Sequence, residues 1–145
     1  MAKLVLNIDG IEDDFFTGAR LLGIMSQLKN YRFCWLVNSC LNYDFRLSTD
    51  VEIQLKKKGR NYFFEVYQFC EADCETEHYI YHNQFEGEYL LPELKHFDFL
   101  WLVKAEIIPE DNFISLQQNL KNINGIQLVT ELKQEKIKHK EHLIF

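Results

Sequence analysis

The chain is poor in the residues that most catalytic signatures require. It contains six Gly and two Pro among 145 residues. It has no glycine-rich phosphate loop, no nucleophile-elbow serine, no His-Glu-x-x-His pair and no dinucleotide fingerprint. Enzymes without short motifs exist, but these absences lower the case for catalysis. We therefore expect a protein that binds a partner rather than one that transforms a substrate.

Long apolar runs and an excess of basic residues are also lacking. No apolar stretch approaches the roughly 18 residues of a membrane-spanning helix, so no membrane partner is expected. The net charge of -6 argues against nucleic acid as the main partner, because phosphate neutralisation requires a basic face. The basic residues at 56–60 and 133–140 form two short clusters, which are typical of solvated surface.

The four Cys, at positions 34, 40, 70 and 74, include no Cys-x-x-Cys pair. The N-terminal residues become polar too early for a signal peptide. We therefore predict reduced thiols and a cytoplasmic location. Cys34 and Cys40 are interpreted as packing residues, since no base stands beside Cys34 to activate its thiol.

Cys70, Cys74, His78 and His82 together have a composition that suits tetrahedral zinc. Their spacing does not suit it. On a strand His78 and His82 would lie about 13 Å apart, and on a helix the four side chains would spread over about three turns. Cys70, Cys74 and His78 remain weak candidates for a partial site. We expect solvated hairpin residues here, and no metal or other cofactor.

Hydrophobic and aromatic side chains are abundant. They make up 47% and 14% of the chain, respectively, which is enough for a core without disulfides or metal. This composition and length predict a single domain over residues 1–145, with a charged C-terminal tail from about residue 133.

The most apolar segment, 97–104, predicts the central strand of a sheet. Both of its faces are apolar, because alternate side chains point to opposite sides of a strand. Phe97, Phe99, Trp101 and Val103 are expected on one face. The segments 51–57 and 62–70 flank a Lys-Gly turn and predict a hairpin. Further strands are predicted at 3–8, 20–25, 76–85 and 126–132.

Two segments have helical periodicity. The helix from Asn30 presents an apolar stripe, which Tyr31, Cys34 and Trp35 are expected to widen. The stripe consists of Phe33, Leu36, Val37, Cys40 and Leu41. A second helix begins near Pro109 and ends before Gly125. Its buried stripe is predicted to be Phe113, Leu116, Leu120 and Ile123.

These elements predict an α+β fold. We expect a two-layer sandwich of a mainly antiparallel sheet and two helices, with a ferredoxin-like core and an inserted β-hairpin as its arrangement. Two helices cover only one face of such a sheet. A homodimer is therefore predicted to cover the other face, and the alternative is that the chain's own termini cover it, including Leu143-Ile144-Phe145.

One nine-residue segment carries a family resemblance. Leu91-Pro92-Glu93-Leu94-Lys95-His96-Phe97-Asp98-Phe99 resembles the signature of the IPExxxVDY family, which reads Ile-Pro-Glu, any three residues, Val-Asp-Tyr. Pro92, Glu93 and Asp98 match identically. Leu91, Phe97 and Phe99 depart conservatively. Chain length and motif position are also similar to that family. The resemblance implies a bacterial source of the Bacteroidetes type, and it implies no activity, cofactor or mechanism.

Glu93, His96 and Asp98 are the candidate binding residues, because a carboxylate beside a histidine can tune proton transfer near neutral pH. The structural alternative is that Glu93 satisfies backbone donors at a turn. Asp98 would then pair with Arg20, Arg32 or a backbone N–H. No catalytic residue is assigned.

The most economical function is a non-enzymatic protein-interaction or binding module. An alternative is a small-molecule sensor with a pocket near Glu93, His96 and Asp98. A third hypothesis is an enzyme that uses the same cluster for acid/base chemistry.

Overall fold

A computed structural model of the chain describes residues 15–72 and 75–145. Its strands are β1 (Ala19–Ser26), β2 (Arg46–Lys57), β3 (Arg60–Cys70), β4 (Glu77–His82), β5 (Gln84–Phe85), β6 (Glu88–Tyr89), β7 (Phe99–Lys104) and β8 (Ile126–Leu132). Its helices are α1 (Asn30–Leu41) and α2 (Glu110–Lys121), and short 3₁₀ turns occur at Pro92–Leu94, Gln134–Lys136 and Lys140–Leu143. The strand predicted at 3–8 lies outside the described residues.

Six strands form one sheet in the order β2-β3-β4-β7-β1-β8, and every neighbouring pair is antiparallel. Helix α1 connects β1 to β2, and α2 connects β7 to β8. The neighbours β8, β1 and β7 with these two helical connections have the ferredoxin-like arrangement, with β3 and β4 inserted between β7 and β2. The predicted α+β sandwich is confirmed. No helix in the described ranges is long and apolar enough to cross a membrane.

Strand β7 is central, as predicted, and pairs with β4 and β1. Residues 99–103 are all buried. The prediction that Phe97 shares a face with Phe99 is wrong, because the strand begins one residue after Asp98, where the chain bends. The Phe97 ring lies on the opposite face against Gly23, where an added Cβ would approach the ring to 2.8 Å.

The predicted hairpin is formed by β2 and β3, which pair from Lys57–Arg60 at the turn. Lys58 and Gly59 both have positive φ values, 54° and 74°. A two-residue turn with both central φ values positive matches the twist of the flanking strands. Strand β2 extends further than predicted, back to Arg46, with a register shift between Leu47 and Glu52.

The buried stripe of α1 is narrower than predicted. Phe33, Cys34 and Val37 are buried, whereas Tyr31 and Trp35 are 64% and 61% exposed. Each helical residue turns by about 100°, which places Tyr31 and Trp35 on the face opposite Phe33. We expected Tyr31 and Trp35 to be buried because they are aromatic. Their position on the helix instead exposes them to solvent.

Cys40 is also exposed, so its interpretation as a packing residue is wrong. The helix ends at Leu41 and is capped by Asn42, which has φ 58°, a left-handed conformation that Asn tolerates.

Helices α1 and α2 pack on one side of the sheet, here called the helix face. The predicted stripe of α2 is confirmed, since all four of its residues are buried. Phe33 of α1 stacks on Phe99 of β7 with ring centroids 4.1 Å apart. The core of this face comprises Leu22, Ile24, Phe33, Cys34, Val37, Phe45, Tyr67, Ile80, Phe99, Trp101, Val103, Phe113, Leu116, Leu120, Ile123 and Val129.

The opposite side, here called the tail face, is covered by irregular parts of the same chain. Leu90, Leu91 and Phe97 come from the segment before β7, and Ile137 and Leu143 come from the C-terminal segment. The Tyr81 hydroxyl donates a buried hydrogen bond of 2.8 Å to the Leu143 carbonyl. The charged tail is therefore packed on the sheet. A second copy of the chain is not needed to cover this face, because the chain's own residues cover it.

Candidate functional site

Glu93 anchors the C-terminal segment. Its Oε2 accepts hydrogen bonds from the His139 backbone N–H at 2.9 Å and from the His139 ring Nδ1 at 3.0 Å. Burial acts to raise the pKa of the Glu93 carboxyl, but hydrogen bonds from its own backbone N–H and from His139 together hold that pKa below its ordinary value. Glu93 therefore satisfies a backbone donor, as the structural alternative required, although the donor lies 46 residues away.

Asp98 and His96 have different surroundings. Asp98 Oδ2 accepts a 2.8 Å hydrogen bond from the Ser26 backbone N–H, and the Ser26 hydroxyl donates to the Gly125 carbonyl at 2.7 Å. This chain of contacts joins the start of β7, the end of β1 and the turn before β8. His96 is exposed and lies against the Phe97 ring, with centroids 4.1 Å apart.

Buried Asn83 holds the loop between β4 and β7 in shape. Its Nδ2 donates to the Leu94 and Phe97 carbonyls, each at 3.0 Å, and its Oδ1 accepts from the Leu91 N–H at 2.9 Å. The Asn83 side chain therefore forms all of its hydrogen bonds with the backbone of the segment that carries Glu93 and Asp98.

The three predicted binding residues are not brought together. Within the described part of the chain, no hydrogen bond or ion pair joins any two of Glu93, His96 and Asp98. Each carboxylate instead accepts a hydrogen bond from a backbone donor of a distant segment. The second oxygen of Glu93, Oε1, is buried and has no partner within the described residues. Glu93, His96 and Asp98 therefore do not form the predicted acid/base cluster, and the histidine that contacts Glu93 is His139. The contacts of Glu93 and Asp98 with backbone donors hold the fold.

The weak metal candidates are also separated. His78 pairs directly with Phe69 across β3 and β4, so Cys70, the next residue of β3, points to the opposite face of the sheet. Cys74 lies outside the described residues. Among residues 15–72 and 75–145, no three His, Cys, Asp or Glu side chains are grouped to hold a metal ion.

His78 is buried, at 2% exposure, so its interpretation as a solvated hairpin residue is wrong. The Trp101 indole N–H donates to His78 Nδ1 at 3.1 Å, and His78 Nε2 lies 2.9 Å from Glu71 Oε2. Because an indole nitrogen only donates, Nδ1 must be the acceptor and Nε2 must carry the proton. The neutral imidazole thus donates to the Glu71 carboxylate and fixes its position.

We expect the stability of the protein to fall in mild acid. Burial lowers the pKa of His78, which Glu71 offsets in part, and burial also lowers the pKa of His82. The folded chain then binds fewer protons than the unfolded chain as the pH falls below about 6.5. The contribution is complete above that pH and is lost as the pH falls through the folded pKa values.

Urea unfolding at pH 7.5 and pH 5 measures this dependence. The double variant His78→Asn, His82→Gln should show a flatter decline than the wild type. Equal declines in the two proteins would contradict the assignment.

Glu71 and His78 border a cleft of about 390 Å³ on the helix face, where α2 begins. Its apolar lining includes Val103, Ile107 and Leu116, and Tyr43 is one wall. A second hollow of about 380 Å³ shares Tyr43 and Asn119 with it and extends to Cys40 and Asn122. We call the two together the inter-helix groove, because α2 forms one side and the end of α1 with Tyr43 forms the other.

Four uncharged polar side chains of α2 and its C-terminal end line this groove: Asn112, Ser115, Asn119 and Asn122. All four are exposed, and none of these side chains has a hydrogen-bond partner within the described residues. Half-buried Asn38 and buried Asn83, by contrast, use both their donor and acceptor groups on backbone partners. The groove therefore offers unused donors and acceptors to a ligand.

An ion-pair network fixes the position of α2. Arg20 donates to both oxygens of Glu131, at 2.9 and 2.8 Å, and also pairs with Glu110 in the first turn of α2. The hydrogen bonds with Glu131 are the main reason that the pKa of Arg20 is raised. Arg20 thus pairs with Glu110 and Glu131 and does not pair with Asp98.

The groove was not predicted from the sequence. One signal was available, since Asn112, Ser115, Asn119 and Asn122 recur at three- and four-residue intervals beside the apolar stripe of α2. They form an uncharged row on a chain that is 26% charged. No comparable signal marks Tyr43, Glu71 or His78, which only the sheet and the end of α1 bring together.

A scan of the chain against models of known protein families found no match, and a search of curated proteins found none either. The resemblance of residues 91–99 to the IPExxxVDY signature stays a prediction. The geometry of the groove is thus the main support for any function.

Proposed function

We propose that the protein is a non-enzymatic binding module that takes its ligand in the inter-helix groove. One observation carries the proposal: the groove combines a carboxylate held in place by a buried histidine with a row of polar side chains that have no partner in the described chain. A concave site with an apolar floor and a few placed polar groups is the usual form of a ligand site.

The groups in the groove suit binding better than proton or acyl transfer. The His78 side chain is 3% exposed and both of its nitrogens are occupied, so it has no free atom for a ligand. Burial, and then the Glu71 charge, raise the pKa of the Tyr43 hydroxyl, which keeps it neutral. Cys40 lies at the other end, and no His, Lys or Arg is among the described residues that line that hollow to activate it.

Cys34 does not supply a nucleophile either. It is 3% exposed, and burial raises the pKa of its thiol to about 12. A thiol with this pKa stays protonated at neutral pH and is a packing group.

A thermal-shift screen with amines, amino acids, nucleosides, organic acids and short peptides tests the proposal. A ligand at 100 times its dissociation constant stabilises the protein by about 2.7 kcal/mol. We expect such a compound to stabilise the wild type but not Ser115→Phe, which fills the groove. Gln118→Phe, on the same helix outside the groove, is the matched control and should respond as the wild type does.

Two results would contradict the proposal. Equal stabilisation of Ser115→Phe and the wild type would place the ligand elsewhere, including the sensor pocket predicted near Glu93, His96 and Asp98. Chromatography would show whether the protein chemically converts the stabilising compound during incubation. Such a conversion would show that the protein is an enzyme.

We also propose a family, a location and an oligomeric state for the protein. Membership of the IPExxxVDY family rests on the matched residues Pro92, Glu93 and Asp98. A cytoplasmic location rests on the cysteine spacing. Homodimer formation now rests on exposed Tyr31 and Trp35 rather than on an open sheet face, and light scattering across a hundredfold dilution tests it.

A further inference from the structure

We infer that the ligand of the inter-helix groove is an extended peptide segment with a Lys or Arg side chain that pairs with Glu71. This inference rests on the proposed function and names the chemistry of the partner.

The charge around the cleft is negative. Glu71 is 43% exposed at the cleft wall while its Oε2 accepts the hydrogen bond from His78. A neighbouring hollow that shares Thr76 and Ile107 with the cleft is bordered by Glu75 and Glu106. None of the described residues that line the three hollows is Lys or Arg. Complementary charge therefore favours a cationic partner.

The groove is long enough for several peptide residues. Asn112 and Asn122 are ten helical positions apart, which corresponds to about 15 Å along α2. An extended chain covers that distance with about four or five residues. Small amines would leave most of this length empty.

The row on α2 fits a peptide backbone. An Asn side chain offers a carbonyl acceptor and an NH₂ donor, and Ser offers a hydroxyl that does both. A peptide presents the same two groups, N–H and C=O, at every residue. Asn112, Ser115, Asn119 and Asn122 can thus pair with a backbone independently of its sequence, and Glu71 then selects the basic residue.

The apolar surface near Glu71 suits the stem of a long basic side chain. Val103 and Leu116 line the cleft, and Ile107 at its edge is 78% exposed. Lys and Arg bury their methylene groups along such surface while the charged end meets a carboxylate.

The experiment uses the full chain labelled with ¹⁵N and three mixtures of acetylated hexapeptides. The mixtures are random except at the third position, which is Lys, norleucine or Glu. The side-chain NH₂ signals of Asn112, Asn119 and Asn122 report contact with the groove. Lysine amide is titrated separately as a small amine without a peptide chain.

We expect the Lys mixture to shift these signals at the lowest concentration. Glu71→Gln should raise the apparent Kd of the Lys mixture by about fivefold or more, the size of one well-placed charge pair. Gln at position 71 still accepts the hydrogen bond from His78, so the fold is kept. Glu52→Gln, an exposed carboxylate on β2, is the matched control and should change Kd by less than about twofold.

The row of polar side chains on α2 is tested with Asn119→Ala, which should weaken the binding of all peptide mixtures. Gln118→Ala is the matched control and should leave their binding unchanged.

Equal binding of the Lys and Glu mixtures would overturn the role of Glu71. Lysine amide binding as tightly as the Lys mixture would overturn the extended peptide but leave the binding groove intact. No shift of the groove signals by any peptide overturns this inference alone, and the proposed function fails only if the wider metabolite screen is also negative.

Discussion

Replacement of Asn83 with Ala should lower the free energy of unfolding by about 3–5 kcal/mol, since each buried polar group left without a partner costs about 1–3 kcal/mol. The substitution removes one acceptor and both donors from a side chain with 0% exposure. The Phe97 carbonyl and the Leu91 N–H would be left without the partner that Asn83 supplies. The Leu94 carbonyl would keep only the hydrogen bond from the Phe97 N–H. Urea unfolding monitored by Trp fluorescence measures the loss.

Gln84→Ala provides the control for this experiment. Gln84 is the next residue and its side chain is exposed, so its replacement should change stability by no more than about 0.5 kcal/mol. A loss below about 1 kcal/mol for Asn83→Ala would show that the loop before β7 does not depend on this side chain.

Removal of residues 134–145 should have an even larger effect. The truncation uncovers the tail face and takes away Ile137 and Leu143, which are 7% and 0% exposed. Burial of each such side chain contributes about 1.5–3 kcal/mol. It also removes the acceptor of the Tyr81 hydroxyl and the backbone donor to Glu93. We expect a chain that is unfolded or that self-associates through the exposed sheet.

Light scattering and urea unfolding decide this prediction together. Leu143→Ala should lose about 2–5 kcal/mol by itself, while Lys138→Ala, exposed on the same segment, should be nearly neutral. A truncated chain that remains monomeric with an unchanged unfolding midpoint would show that the C-terminal segment does not stabilise the sheet.

Most of the regular structure was predictable because its signals are local. The hairpin strand at 62–70 and the stripe of Phe113, Leu116, Leu120 and Ile123 were each predicted from the pattern of one segment. The Lys58-Gly59 turn likewise depends on two backbone conformations. These features were confirmed because every neighbour that decides them lies within the same segment.

The features that the sequence did not predict depend on contacts between distant segments. Nothing near Glu93 in the sequence indicates that its partner is His139, and no local pattern shows that His78 is buried between Trp101 and Glu71. The tail face is covered by irregular segments in which single residues such as Leu91 and Leu143 supply the packing. Irregular segments have no period, so sequence patterns could not assign them to a face.

The position of β1 has a consequence for the order of folding. Leu22 pairs with Trp101 of β7 on one side and with Glu131 of β8 on the other. The first described strand therefore has no partner until β7 exists, and it gains its second partner only from β8. The meander of β2, β3 and β4 can pair from its own turns much earlier. Loop closure over such long separations slows folding. We therefore expect a slow final phase in which β1 inserts between β7 and β8, and an early intermediate whose amide protection from hydrogen exchange is confined to residues 46–82.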